Sequence, residues 1–155
     1  MNGRKANTIM TKSETIRLGQ IRVKFLLEAA DTNGSVAMFE FMVPAGATVP
    51  IPHSHRNYDE TIYGVEGVIK FTVDGKTVPI GAGESYFIPR GAVHGFDNLR
   101  QTEAKALAIV TPALIGRDFF AEIAAIVNPG GPPDLEKLTA VYAKHGLVPA
   151  MPPVV

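Results

Sequence analysis

Residues 46–67 read GATVPIPHSHRNYDETIYGVEG, and residues 83–98 read GESYFIPRGAVHGFDN. These two segments contain three of the four histidines of the chain: His53, His55 and His94. The first two are separated by one residue, and on a β-strand that spacing points both side chains to the same face. Two imidazoles on one face are able to share one metal ion, so the first segment predicts a metal-binding strand.

Glu60 and His94 add two further donor groups to this pair. Glu60 lies across the turn that follows His55, and the turn at Pro89-Arg-Gly91 precedes His94 and is able to return it to the same end of the barrel. Asp59 competes with Glu60 as the carboxylate ligand. Three neutral imidazoles and a carboxylate suit Fe, Mn, Ni, Cu, Co or Zn. An oxygen-only site for calcium or magnesium fits these residues poorly.

Short β-rich segments separated by turn residues surround the histidines. In Val68 to Val73, apolar and polar residues alternate, and the following Asp74-Gly75 is typical of a two-residue hairpin turn. Comparable segments lie at residues 21–27, 35–43, 49–55, 60–65, 77–80, 84–88, 96–99 and 104–110. Strands this short and this evenly spaced predict an all-β fold of the jelly-roll type.

The pattern becomes helical after Pro112. Apolar residues recur at helical spacing from Phe119 to Val127, and Asp134 is a favourable N-cap for a second helix. His145 falls in the last turn of that helix, where the helix dipole favours it, so a structural role is expected. The predicted organisation is a flexible leader (residues 1–15), a barrel (16–112) and a helical extension (113–155) that packs on the barrel or on a dimer partner. Translation starts at Met1 or Met10.

The composition excludes several classes of site and partner. Fifteen basic residues balance fifteen acidic ones, so there is no electrostatic reason to expect nucleic acid or an anionic membrane as a partner. The chain has no cysteine, which excludes disulfides, thiolate zinc sites and cysteine nucleophiles. A chain of 155 residues suits a single domain, and no segment approaches the ~20 apolar residues of a membrane helix. A cytoplasmic location is expected.

The two quoted segments resemble the first and second sequence motifs of the cupin superfamily. The second motif matches position for position, whereas the first has one extra residue between Gly46 and His53. The resemblance implies a small jelly-roll barrel, the double-stranded β-helix, with a metal ion inside it. It also implies the metal ligands, which are His53, His55, Glu60 and His94. Because imidazole must be neutral to bind a metal, ordinary histidine pKa values predict loss of the ion between about pH 6 and 5.

Other residues of the two motifs have weaker functional interpretations. Glu60 is the one candidate for acid–base catalysis, should it leave the metal. Tyr63 and Arg90 are candidates for the entrance of the site, although plain packing accounts for them as well, and the same holds for three aromatic residues: Tyr58, Phe87 and Phe96. Asn98 is expected to bond the backbone in a turn.

The resemblance implies one divalent transition metal per chain and a small organic molecule as substrate or ligand. A metal-dependent enzyme similar to dioxygenases is the first hypothesis, and a metal-dependent isomerase, decarboxylase or lyase is a variant of it. A cupin that binds or senses a small molecule without turning it over is the alternative, because a fold does not specify a function. Sheet edges and apolar C-terminal helices predict a homodimer.

Overall fold

A computed structural model describes residues 14–49 and 51–150 of the chain. Within these ranges the strands are β1 (Thr15–Leu18), β2 (Ile21–Leu27), β3 (Ala37–Val43), β4 (His53–His55), β5 (Asp59–Glu66), β6 (Val68–Val73), β7 (Lys76–Gly81), β8 (Ser85–Ile88), β9 (His94–Asp97), β10 (Ala104–Thr111) and β11 (Leu147–Pro149). The helices are α1 (Ala29–Thr32), α2 (Arg117–Val127) and α3 (Leu135–Lys144). The predicted mostly-β fold with two short C-terminal helices is confirmed.

The strands form two sheets that face each other. The larger sheet has the order β1-β2-β3-β10-β5-β8, and the smaller has the order β11-β4-β9-β6-β7. Every strand pair is antiparallel. Apart from the β6–β7 hairpin, consecutive strands from β3 to β10 alternate between the sheets, as in a jelly roll.

Alternating side chains build the core between the sheets. In β6, Ile69, Phe71 and Val73 are buried, and the hairpin to β7 turns at Asp74 and Gly75, which have φ of 47° and 77°. Positive φ at both turn positions explains the Asp-Gly sequence. The facing layer comes from central strands of the larger sheet, including β10, whose alternate alanines are almost fully buried and leave room for the phenylalanines of β3.

Helix α2 covers one end of the space between the sheets. Phe120 packs against Phe25 and Phe39, with ring centroids 5.5 Å and 5.1 Å away. The Arg117 Nε donates to Glu28 at 2.9 Å near the helix start, and the Asn128 amide bonds the β1–β2 turn at the other end. Both ends of α2 are therefore held to the larger sheet.

Helix α3 is capped as the sequence indicates. The Asp134 carboxylate accepts a hydrogen bond from the Lys137 amide at 3.1 Å, and Gly146, with φ of 79°, follows the helix end at His145. The chain then continues as β11, which pairs with β4. This strand is not among the β-rich segments that the sequence pattern indicates, and its pairing with β4 leaves Leu147 only 2% exposed.

Strand β1 is a second addition to the predicted elements. It begins at Thr15, the last residue of the predicted leader, and Thr15 pairs with Lys24 of β2. Its four residues are exposed or half-buried, so they carry little apolar pattern. The remainder of the leader, up to residue 13, lies outside the described residues, as do residues 151–155. In the part of the chain that the structure describes, no helix has the length and apolar character to cross a membrane.

Candidate metal centre

Two adjacent strands of the smaller sheet bring the three predicted histidines together. His53 and His55 lie on β4, and His53 is the register partner of His94 on β9. One nitrogen of each of the three rings lies within 4.8 Å of the others. His55 and His94 are 4% and 3% exposed, while His53 keeps some free surface because it lines an internal cavity. These three histidines are able to bind one metal ion.

Backbone carbonyls orient two of the three imidazole rings. The Nδ1 of His53 lies 3.0 Å from the carbonyl oxygen of Ile51, and the Nδ1 of His94 lies 3.0 Å from that of Ala92. A carbonyl oxygen only accepts, so each Nδ1 carries the proton and donates it. In the neutral rings the lone pair is then on Nε2, the atom left free for a metal. Such bonds to the outer nitrogen fix the tautomer and the orientation of metal-binding histidines.

Glu60 approaches the histidines from the opposite sheet. It lies on β5, where Ile88 and Val110 are its register partners, and it is 9% exposed. Its Oε2 is 3.2 Å from the Nε2 of His94 and 3.8 Å from the Nε2 of His55. The carboxylate therefore faces the Nε2 of His94, which the backbone bond of that ring leaves free for a metal, and it lies near the Nε2 of His55. The first-motif loop between His55 and Glu60 is what crosses from one sheet to the other.

Burial controls the protonation of the histidines on β4. Loss of hydration lowers the pKa of His53 to about 3, helped by the neighbouring imidazoles, and lowers that of His55 to about 4. His53 is half-buried, and the surface that it keeps faces a mainly apolar cavity. Both rings are neutral over the whole physiological pH range, which is the state that binds a metal.

The Glu60 and His94 side chains form a coupled acid–base pair. Burial alone would raise the pKa of Glu60, but the hydrogen bond with His94 and the nearby imidazoles outweigh it and lower that pKa to about 2. Burial alone would lower the pKa of His94, but the same hydrogen bond and the Glu60 charge outweigh it and raise that pKa. In the metal-free protein the proton between them is therefore held on the His94 ring.

Two tyrosines pack on the histidine rings. Tyr58 stacks on His55 with centroids 4.3 Å apart, and Tyr142 of α3 contacts His53 edge-on at 5.3 Å. Burial raises the pKa of the Tyr58 hydroxyl, which has no hydrogen-bond partner among the described residues. Sequence reasoning did not assign Tyr142 to the site, because helical spacing shows which face of a helix is buried but not what that face touches.

A cavity of about 260 Å³ adjoins the histidines. Its surface is mainly apolar and comes from both sheets, from the β1–β2 turn and from helices α2 and α3. The lining includes the four predicted ligands together with a group of aromatic side chains: Phe39, Phe41, Tyr58, Phe71, Phe96, Phe119, Phe120 and Tyr142. The site is thus the polar part of a largely apolar chamber.

Several candidates for the entrance lie elsewhere. Tyr63 and Phe87 are on the outer surface of the larger sheet, 43% and 56% exposed, and neither lines the cavity. Arg90 is also outside it, with its guanidinium on the Asp59 carboxylate at 3.0 Å. The interpretation of Tyr63 and Arg90 as residues of the entrance is therefore corrected. Tyr63 alternates with Ile62 and so points outward, and Arg90 is drawn to the nearest free carboxylate.

The same ion pair separates Asp59 from the metal centre. The Asp59 carboxylate accepts hydrogen bonds from the Arg90 backbone amide at 2.9 Å and from the Arg90 guanidinium. Because side chains alternate along β5, the neighbouring Glu60 is the carboxylate that points inward. Asn98 has the expected structural role, since its Nδ2 donates to the carbonyls of Val43 and Thr102 at 2.8 Å each. His145 bonds Glu122 at 3.0 Å and is not among the residues that line the cavity.

Comparisons with known proteins agree with this geometry. A family model described as a cupin domain matches residues 39–110. A protein of Thermotoga maritima named oxalate-binding protein is 30% identical over 93 residues, which are 59% of this chain and 76% of that protein.

Solved structures show the same fold. The crystal structure of a predicted oxalate decarboxylase from Thermotoga maritima is 28% identical, with a TM-score of 0.57 and coverage of 64% of this chain and 91% of the other. An RmlC-like cupin from Shewanella frigidimarina covers 77% of this chain and 99% of its own, with a TM-score of 0.58 and 23% identity. At that identity the second likeness bears on the fold alone.

Proposed function

The chain belongs to the cupin family, and from this premise we propose that it is a metal-dependent enzyme acting on a small organic molecule. The proposed ligands of one divalent transition metal are His53, His55, Glu60 and His94. The observation that supports the proposal is the convergence of these side chains. The Nδ1 atoms of His53 and His94 are bonded to backbone carbonyls, and the Glu60 carboxylate lies 3.2 Å from the Nε2 of His94.

The donor set fits iron, manganese, nickel, copper, cobalt or zinc. Three neutral nitrogen donors and one carboxylate satisfy these borderline ions, and the adjoining cavity leaves space for a further ligand. Such an ion supplies Lewis acidity, and iron, manganese, nickel, copper or cobalt also supplies redox chemistry. The chain itself contributes orientation of the ligands by the backbone bonds and exclusion of water by the apolar lining.

The proposed reaction class is oxidation by dioxygen, as in dioxygenases. Glu60 is the only carboxylate among the described residues that line the cavity, so no second acid–base pair is available there for proton transfer. The apolar lining instead suits a neutral co-substrate and an organic molecule. Glu60, ionised at neutral pH and hydrogen-bonded to His94, is the proposed acceptor if the reaction requires removal of a proton. Metal-dependent isomerase or lyase chemistry is the variant that would rely on this one group.

A second candidate function is binding of a small molecule without turnover. The same lack of a second acid–base pair favours it, and the Thermotoga relative is named for binding oxalate. The two candidates differ in one measurable respect, which is consumption of a co-substrate. Oxygen uptake with diketones, thiols, flavonols or aromatic diols supports the enzyme. Saturable binding without any turnover across this panel supports the binding role.

Elemental analysis of protein purified without added metal tests the site itself. We expect about one transition metal per chain in the wild type, less in His94→Ala, and none in the double variant His53→Ala/His55→Ala. His145→Ala is the matched control, because His145 bonds Glu122 and does not line the cavity, and it should keep the wild-type content. Full occupancy in the folded double variant would contradict the assignment.

A further inference from the structure

The cavity beside the metal centre is lined by more than the metal ligands. Helix α2 contributes four side chains to it, and the segment just before the helix contributes Ile115. All five are apolar, and those of the helix are Phe119, Phe120, Ile123 and Val127. The facing surface includes Phe39 and Phe41 of β3. A molecule that fills the cavity must therefore contact carbon atoms over most of its surface.

The charges of the lining are as informative as its apolar character. Among the described residues that line the cavity, Glu60 is the only acid and there is no lysine or arginine. Arg117, the basic residue of α2, lies over the Phe25 ring and bonds Glu28, and it is not part of the lining. Away from the histidines and the metal ion that they would hold, a charged group of a ligand would have no cationic side chain in the lining to replace its hydration, and burying an unpaired charge is costly.

The volume limits the size of the ligand. At about 260 Å³ the cavity lies just below the ~300–1,000 Å³ of sites for drug-sized ligands. An apolar cavity of about 150 Å³ is known to accept benzene. The space therefore suits one aromatic ring with a short substituent, and it is too large to be filled by a molecule as small as oxalate.

We propose that the cavity takes an uncharged molecule with one aromatic ring and one oxygen head group, the ring against the α2 side chains and the head group toward the histidines. The position of the ring, which is the apolar half of the proposal, rests on the lining alone. The position of the oxygen, which is the head-group half, rests on the proposed function, because the oxygen is assigned to the open side of the metal. The two halves are therefore tested separately.

Calorimetric titration of the metal-stripped protein tests the apolar half. With 4-ethylphenol as the probe we expect one saturable site per chain, and with oxalate no saturable binding over the same range of concentration. Metal-free protein is used so that chelation of the ion by oxalate does not contribute. Absence of 4-ethylphenol binding, or oxalate binding of equal strength, would overturn the proposal.

Substitutions on α2 locate the ring. Phe120 is half-buried, so Phe120→Ala should enlarge the cavity and increase the affinity for the bicyclic 2-naphthol by about tenfold relative to 4-ethylphenol. Phe87→Ala is the matched control, since Phe87 is exposed on the outer sheet surface and should leave both affinities unchanged. Val127→Phe tests the same point if the first variant does not fold, because the added ring should weaken 4-ethylphenol binding. An unchanged preference in a folded variant would overturn the placement.

Zinc-loaded protein tests the head-group half. We expect zinc to strengthen binding of 4-ethylphenol by about tenfold and to leave ethylbenzene, which has the same ring but no oxygen, unchanged. Equal effects of zinc on both probes would overturn the orientation while the metal site stands. Failure of the protein to bind zinc, with 4-ethylphenol still bound by the metal-stripped form, would contradict the proposed function and leave the apolar half intact.

Discussion

The three histidines of the metal centre have different acid–base properties because their surroundings differ. Burial lowers the pKa of His53 to about 3 and that of His55 to about 4, so these rings are already neutral when a metal arrives. His94 is also buried, but its bond with the Glu60 carboxylate raises its pKa above the ordinary value. Protons therefore compete with the metal chiefly at His94 over most of the accessible pH range.

This difference predicts how metal affinity varies with pH. From about pH 6 to about pH 4 one proton must leave per metal bound, so the affinity should fall about tenfold per pH unit. Below about pH 4 the two β4 histidines begin to be protonated and the slope should steepen. Zinc titration against a chelator of known affinity at each pH measures the slope.

The slope of zinc affinity against pH can be checked with a variant outside the metal centre. His145→Ala should give the wild-type slope, because His145 lies outside the site. Three histidines of ordinary pKa would instead release the metal steeply between about pH 6 and 5, with up to three protons per metal. A slope of two or three protons in that interval would show that burial does not protect the β4 histidines.

Strand β11 supports the metal centre as an element. Leu147 and Pro149 are the register partners of His55 and His53, so β11 covers the edge of the strand that carries both ligands. Leu147 also lines the cavity. Without β11, β4 would become an unpaired edge strand, and its side chains would have fewer contacts to hold their directions.

Truncation tests this support. A chain that ends at Gly146 should bind zinc about 10–100-fold more weakly than the wild type, the range seen when groups that orient metal ligands are lost. A chain that ends at Ala150 is the control, because it keeps β11 and the hydrogen bond from the Ala150 amide to the Pro52 carbonyl at 2.8 Å. Equal zinc affinity of the two folded truncations would show that β4 is oriented without β11.

At the scale of the whole molecule, an exposed apolar patch on the larger sheet bears on the homodimer, which stays a prediction. Tyr63, Val65 and Phe87 are 43%, 42% and 56% exposed on β5 and the edge strand β8. Exposed aromatic residues beside an open sheet edge are typical of an association surface. This surface lies away from the cavity, so association through it would leave the metal centre unobstructed.

Phe87→Glu should shift the dimer to a monomer, because pairing of two copies through this surface would bury an unpaired charge on each. Size-exclusion chromatography with light scattering measures the mass. Leu99→Glu is the control, since Leu99 is 69% exposed and lies outside these strands. A monomeric wild-type protein would refute the dimer, and a dimeric Phe87→Glu variant would place its interface elsewhere.

Local spacing was enough to predict most strands and to place His53 and His55 on one face of a strand. The alternation in β6, the Asp74-Gly75 turn and the two-residue spacing of His53 and His55 each reflect geometry within a few residues of chain. The direction of a side chain in a strand follows from its position along the strand, so these features can be predicted from the sequence. The cupin resemblance supplied the link between the two histidine segments, which spacing within either segment does not contain.

Contacts between distant parts of the chain required the three-dimensional structure. The approach of Glu60 from the opposite sheet, the pairing of β11 with β4, and the contact of Tyr142 with His53 all join residues separated by loops or by whole elements. The pKa values of the histidines likewise depend on burial and on the ionisable groups that surround each ring. Local sequence specifies which way a side chain points, whereas burial and long-range pairing result from many weak contacts summed over the entire fold.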